Sequence, residues 1–272
     1  MISALLIVFR EMIEAGLIVG IVLAATTGVP GRGRAVSGGV IAGVLGACLV
    51  AAFAGQLAEL FQGSGQELFN ATILLLAVAM LTWHNVWMAS HGREMARELK
   101  AAGHQVKTGE RTLAALSVVV GVAVLREGSE VVLFLYGIAA QGGTSANGMV
   151  VGGGLGLIAG AVISALMYWG LLTIPAGKLF QVTSWLITLL AAGMAAQAVI
   201  FLQNGGWLEF FTTTVWDTGW LIQDDSITGK LLHTLVGYSQ APNGAQLIAY
   251  GVTVVMILVL MRLVNAPKQK HA

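Results

Sequence analysis

Two short charged runs, Arg10-Glu11-Met12-Ile13-Glu14 and Arg126-Glu127-Gly128-Ser129-Glu130, sit inside stretches that are otherwise apolar, and both have the spacing R-E-x-x-E. On a helix turning 100° per residue, the three charged side chains of each run share an arc of about 100°. If the two arcs face one another, four carboxylates and two guanidiniums converge. Each arginine can hold one glutamate by charge-assisted hydrogen bonds, and two carboxylate charges are then left over. In low dielectric such an excess requires a cation or protons to neutralise it. Oxygen donors favour hard cations, and the lack of thiolates argues against soft ions such as Cu(I). Ferric iron suits this donor set; on charge and geometry alone so do Mn²⁺, Mg²⁺ and Ca²⁺. The structural alternative is a pair of interhelical ion pairs that fix helix register, but that role needs only one glutamate per arginine.

The elements that carry these runs are membrane helices by composition. Hydrophobic residues make up 57% of the 272, charged residues 10%, and the mean hydropathy is +0.83. These values exclude an ordinary soluble domain. They also leave no room for a large domain outside the membrane, and nothing suggests nucleic acid as a partner. Six unpaired ionisable groups at mid-bilayer would cost on the order of 15 to 20 kcal/mol, so the expectation is that they pair and serve a purpose. Cys48 is the single cysteine, which excludes an intrachain disulfide and a thiolate metal site. The N-terminus has no basic region before its apolar run and reads as a retained helix, not a signal peptide.

Apolar stretches long enough to cross a hydrocarbon core of about 30 Å fall near 2-26, 36-58, 68-91, 112-140, 148-172, 180-202 and 245-264. The expected fold is therefore all-α and integral to the membrane, with seven transmembrane helices. Arg32 and Arg34, then Arg93, Arg97, Lys100, Lys107 and Arg111, then Lys178, and finally Arg262, Lys268 and Lys270 place basic residues in every second connection. The other connections carry Glu59, Glu67, Glu209, Asp217, Asp224 and Asp225 against Lys230. By the positive-inside rule the N-terminus is outside and the C-terminus cytoplasmic.

The charged runs lie 116 positions apart, and Gly39-x-x-x-Gly43 recurs as Gly156-x-x-x-Gly160. Two halves of three helices then share one plan: a first repeat over about 1-91 and a second over about 112-202. An outer loop over about 203-244 and a seventh helix over about 245-264 follow, all within a single transmembrane domain. Three spans per half make the copies antiparallel, the inverted-repeat plan of many transporters, whose sites lie at mid-membrane between the repeats. Glycines at four-residue spacing let helix backbones approach closely.

The paired R-E-x-x-E runs on the first and fourth helices of a seven-helix chain resemble the oxidase-dependent iron permeases, which include the fungal high-affinity iron permease and bacterial EfeU-type relatives. The resemblance extends to Gly65-Gln66-Glu67-Leu68-Phe69, Leu81-Thr82-Trp83, Trp87-Met88, Trp216-Asp217, Asp224-Asp225-Ser226 and Gly237-Tyr238. It implies a permease, not an enzyme, in a bacterial inner membrane. It further implies that Fe²⁺ is oxidised outside by an oxidase or cupredoxin-type partner and passed inward as Fe³⁺. Iron would be the transported substrate, with no permanent cofactor. Carried onto this chain, the iron-handling glutamates are Glu11, Glu14, Glu127 and Glu130, with Arg10 and Arg126 as their supporting ion pairs. Met12-Ile13 and Gly128-Ser129 occupy positions where Gly-Leu is common in the family.

Secondary ligand candidates are His84, mid-depth in the third span, and Asp217, Asp224 and Asp225 in the outer loop. The aspartates could instead dock a periplasmic partner or form a solvated surface. His91 lies seven residues after His84, on the same helix face, so a haem-binding membrane redox protein is a competing reading. A permease for another hard cation is a second, and a structural scaffold a third. Met80, Met88 and Met95 read as packing residues, and 92-108 as a cytoplasmic extension of the third helix.

Overall fold

Proline is absent from every helix among the described residues, so no long apolar run there is interrupted by a residue that removes a backbone donor. The computed structural model describes residues 1–60, 66–141, 145–170 and 176–265. Gly65, Lys268 and Lys270 lie outside the described residues, as do the side chains of Glu59, Arg93 and Lys178.

Among the described residues the regular structure is helical, apart from one isolated bridge between Thr214 and Asn243. The helices are α1 (Ile2–Ala25), α2 (Arg32–Leu60), α3 (Gln66–Lys107), α4 (Leu113–Gln141), α5 (Ala146–Tyr168), α6 (Ala176–Asn204), α7 (Ile227–Val236) and α8 (Gly244–Asn265). The expected extension of the third span is continuous with it, which makes α3 a rod of 42 residues. The outer loop contains α7, which periodicity did not suggest. Ser226 starts that helix by accepting from the Gly229 amide at 2.9 Å, and Gly237, at φ 69°, ends it in a left-handed cap.

Among the described residues, five segments are long and apolar enough to cross a membrane: Arg32–Ala54, Gln66–Met88, Ala146–Tyr168, Gln181–Asn204 and Gly244–Val264. Helices α1 and α4 are of similar length, but each carries an ionisable triad. Those charges point inward: Arg10, Glu11, Glu14, Glu127 and Glu130 are all buried. Outward faces are apolar instead, as at Leu45, Leu49 and Phe53 on α2, Val150 and Ile158 on α5, and Val252 and Val259 on α8.

Helix α1 packs along α5, α2 along α4, α3 against α6, and α1 against α4. Glycines set the first two contacts. A Cβ on Gly156 would stand 2.5 Å from the Leu5 carbonyl oxygen and one on Gly160 2.9 Å from that of Phe9; on Gly39 it would meet the Ser117 carbonyl at 2.5 Å and on Gly43 that of Gly121 at 2.7 Å. Residue numbers rise together across both contacts, so α1 runs parallel to α5 and α2 parallel to α4. Gly152 lies against Met1 in the same series. Since Met1 and Leu5 stand to Ser117 and Gly121 as Arg10 stands to Arg126, the counterparts of Gly39 and Gly43 are Gly152 and Gly156. The glycine match read from sequence is thus one helical turn out of register.

Two apolar clusters flank the charged runs. Ile7, Leu81, Phe134, Ile138 and Met194 belong to one; Ile18, Val22, Val120 and Val124 belong to the other. The first takes α1 before Arg10 and α4 after Glu130, the second α1 after Glu14 and α4 before Arg126. The two motif helices are therefore antiparallel, and the charged layer lies between two apolar layers.

Gly156→Val and Gly43→Val should each lower stability by about 1–3 kcal/mol, because the facing atoms are backbone and cannot move aside. Melting temperature in detergent and the amount of protein in membranes measure this. Gly154→Ala, with no neighbouring atom within 4 Å, should leave both unchanged.

Candidate metal centre

Helical periodicity places Glu11 and Glu14 on the α4-facing side of α1, with Glu14 between Arg10 and Glu11 in projection. The Arg10 guanidinium is 2% exposed and spans both carboxylates, with Nη1 2.9 Å from Glu11 Oε1 and Nη2 2.8 Å from Glu14 Oε1. One glutamate per arginine does not describe this half: a single cation serves two carboxylates. On α4, Arg126 Nε donates to Glu130 Oε1 at 3.1 Å. Its guanidinium carbon also lies 4.3 Å from the centroid of the Trp87 ring, a cation–π contact. The two arginines are unlike in exposure, since the Arg126 side chain is 36% exposed.

His84, from α3, joins the halves. Its Nε2 is 3.2 Å from Glu14 Oε2, and its Nδ1 meets Glu130 Oε2. The next residue, Asn85, donates to Thr188 Oγ1 at 3.0 Å and to the Ser184 carbonyl at 3.1 Å, which fixes this stretch of α3 to α6. An imidazole held on one side by a carboxylate has its orientation set for a ligand role on the other.

One potential ligand atom from each of Glu11, His84, Glu127 and Glu130 lies within 4.8 Å of every other, and all four residues are buried. Opposite ligands on a single ion lie about 4 to 5 Å apart, twice a metal–oxygen bond of about 2.0–2.5 Å. Glu11 Oε2 and Glu127 Oε2 are buried without a hydrogen-bond partner, an arrangement costly for carboxylates unless a cation or a proton meets them. The donor set of three carboxylates and one imidazole suits iron and other first-row divalent metals as well as hard cations. With His84 neutral, four glutamates against two arginines leave an excess of two negative charges.

Three of the four motif glutamates expected from sequence thus converge, together with His84. Glu14 stands one step behind, bonded to Arg10 and to the far nitrogen of His84. Arg10 bridges two of these carboxylates, and Arg126 holds one. Asp217, Asp224 and Asp225 are elsewhere: they line a cavity of about 530 Å³ in the outer loop with Trp220, Gln223 and Gln240. Two of them serve the loop itself, as Asp217 Oδ1 accepts from the Gly219 amide at 2.7 Å and Asp224 Oδ1 from the Gln240 amide at 3.0 Å. His91 is outside the group of four; its ring stacks on Trp87 with centroids 5.4 Å apart. Sequence reasoning gave no role to Trp87 at the site or to Asn85. The available signal was spacing, since Trp87 is one helical turn beyond His84.

The chain matches the iron permease FTR1 family over residues 1–266. Curated relatives named ferrous iron permease EfeU include one from Escherichia coli O6:H1, 31% identical over 258 residues that cover 93% of this chain and 92% of the relative. Another, from Yersinia pestis, is 32% identical over 260 residues, covering 94% and 91%. A third, from Shigella sonnei, is 31% identical over 262 residues, covering 95% and 94%. No solved structure matches the chain. These relatives are permeases, not enzymes, and with the match running almost end to end, this chain belongs to the iron permease FTR1 family.

Proposed function

We propose that this protein takes iron into the cytoplasm across a bacterial inner membrane, and that the ion passes through the buried centre of Glu11, His84, Glu127 and Glu130. The observation that carries this reading is the set of four ligand atoms within 4.8 Å, in a layer with apolar clusters on both sides. Glu14 and Arg10 hold His84 and Glu11 in place, and Glu14 is the next carboxylate along α1 for an ion leaving the group. Trp87 and Arg126 do the corresponding work for Glu130.

The proposed topology has seven spans: α1 to α6 as two inverted three-helix repeats, and α8 as the last crossing. The N-terminus is outside and the C-terminus cytoplasmic. Support comes from the parallel pairing of α1 with α5 and α2 with α4, and from the antiparallel course of α1 and α4, both of which alternate crossings require. Membrane potential then favours entry by about 2.3 kcal/mol per charge for each 100 mV.

Oxidation of Fe²⁺ outside by an oxidase or cupredoxin-type partner, followed by passage of Fe³⁺, completes the proposal. A second reading, direct passage of Fe²⁺, rests on a charge count: with His84 neutral, the four motif glutamates exceed the two arginines by two, the charge of a ferrous ion. The relatives' names carry the same ion.

Glu127→Gln and Glu130→Gln should each lower uptake of radiolabelled iron in whole cells by at least about tenfold, at unchanged protein level in the membrane. Glu209→Gln, in the outer loop, should leave it intact. Undiminished uptake in either of the first two variants would falsify the assignment. Proteoliposomes containing only this chain separate the two ion forms. Under the oxidation reading they accumulate iron from ferric solution and not from anaerobic ferrous solution kept reduced with ascorbate; the reverse result establishes direct Fe²⁺ passage.

A further inference from the structure

A cavity of about 550 Å³ lies beside the C-terminal half of α1, separate from the charged centre. Its walls are Leu17, Gly20, Ile21 and Ala24 of α1 and Met167 and Tyr168 of α5; Lys100 and His104 of α3 stand at its end. From Gly16 to Ala25 the groove follows about 14 Å of helix axis. Gly20 keeps the α1 wall bare, where a Cβ would only touch the Tyr168 ring at 3.7 Å, whereas Gly16 is covered by the Ser164 side chain. The space is therefore left by the absence of side chains and not closed by neighbouring backbone.

Its chemistry is divided. The long walls are apolar, while the end near the last turn of α1 is basic: Lys100 and His104 are exposed there, and Arg32 caps the same turn by donating to the Leu23 carbonyl at 2.8 Å. A cation path would not place a lysine at its mouth. An apolar slot a few ångströms from fixed positive charge fits an amphiphile with an anionic head. Basic pockets between membrane helices bind such headgroups.

We propose that this groove binds one anionic phospholipid of the leaflet at the α1 C-terminal end, its acyl chain along Leu17, Gly20 and Ile21 and its phosphate at Lys100 and His104. The lipid closes the flank of α1, the helix that carries Glu11 and Glu14, where the C-terminal half of α3 packs against its last turn. Charge complementarity at one end and bare apolar walls along the rest select a lipid over a free anion.

Native mass spectrometry on the detergent-purified full chain, titrated with phosphatidylglycerol or phosphatidylcholine, tests this. Wild type should retain one phosphatidylglycerol and no phosphatidylcholine. Lys100→Gln should bind phosphatidylglycerol about fivefold more weakly, and Lys100→Gln/His104→Gln at least as weakly. Gly20→Leu, which fills the groove without touching its charges, should lose retention altogether. Arg34→Gln removes a basic residue on the same side outside the groove and should bind as wild type does. All variants are checked for an unchanged size-exclusion profile. Equal retention of both lipids, wild-type retention by Gly20→Leu or by the double variant, or an equal loss in Arg34→Gln would overturn the proposal. Protection from thermal unfolding by millimolar inorganic phosphate equal to that by the lipid would also do so, since it would mark a free-anion site.

Discussion

Everything in this fold is arranged around the neutralisation of carboxylates in a medium that cannot solvate them. Glu11, Glu14, Glu127 and Glu130 are buried between two apolar clusters. Desolvation alone would set several kcal/mol against each charge. The partners that offset this are supplied from three helices: Arg10 on α1, Arg126 on α4 and His84 on α3. Those helices must meet at one depth, which explains why close contacts elsewhere are made by glycine. Where α1 lies along α5 and α2 along α4, backbone touches backbone, and the motif helices are held from behind while their charged arcs face each other.

The two charged runs share a spacing but not a state. Arg10 is sealed and divided between two carboxylates, whereas Arg126 bonds one carboxylate, rests on an indole face and keeps a third of its side chain exposed. Glu130, the carboxylate that shares His84 with Glu14, is thus held by the looser arginine. The carboxylates are held firmly on the α1 side and more loosely on the α4 side, although the two motifs have the same spacing.

The helical spacing of R-E-x-x-E was enough to foresee that the charges would share a face, and the long apolar runs were enough to foresee an all-helical structure. Helix periodicity and charge placement are local properties, legible in one chain. The displacement of Glu14 by His84 was not legible, because it depends on how α3 leans between α1 and α4. Nor was the glycine register: Gly152, Gly156 and Gly160 form a run of three at equal spacing, and a repeating pattern cannot say which two of its members are used. The acidic residues of the outer loop looked like ligands by type. Asp217 and Asp224 instead accept from backbone amides of their own loop, a role that a residue list does not distinguish from metal binding.

The length of α3 has a mechanical consequence. Its 42 residues span about 63 Å, about twice the thickness of a hydrocarbon core. No proline interrupts it, and Asn85 anchors it to α6 beside His84. The arm beyond that anchor is clamped as well, since Leu99 and Val106 are buried among side chains of α1, α2 and α4 and Gly103 lies against Ala25, so one stiff rod joins the depth of His84 to the last turn of α1.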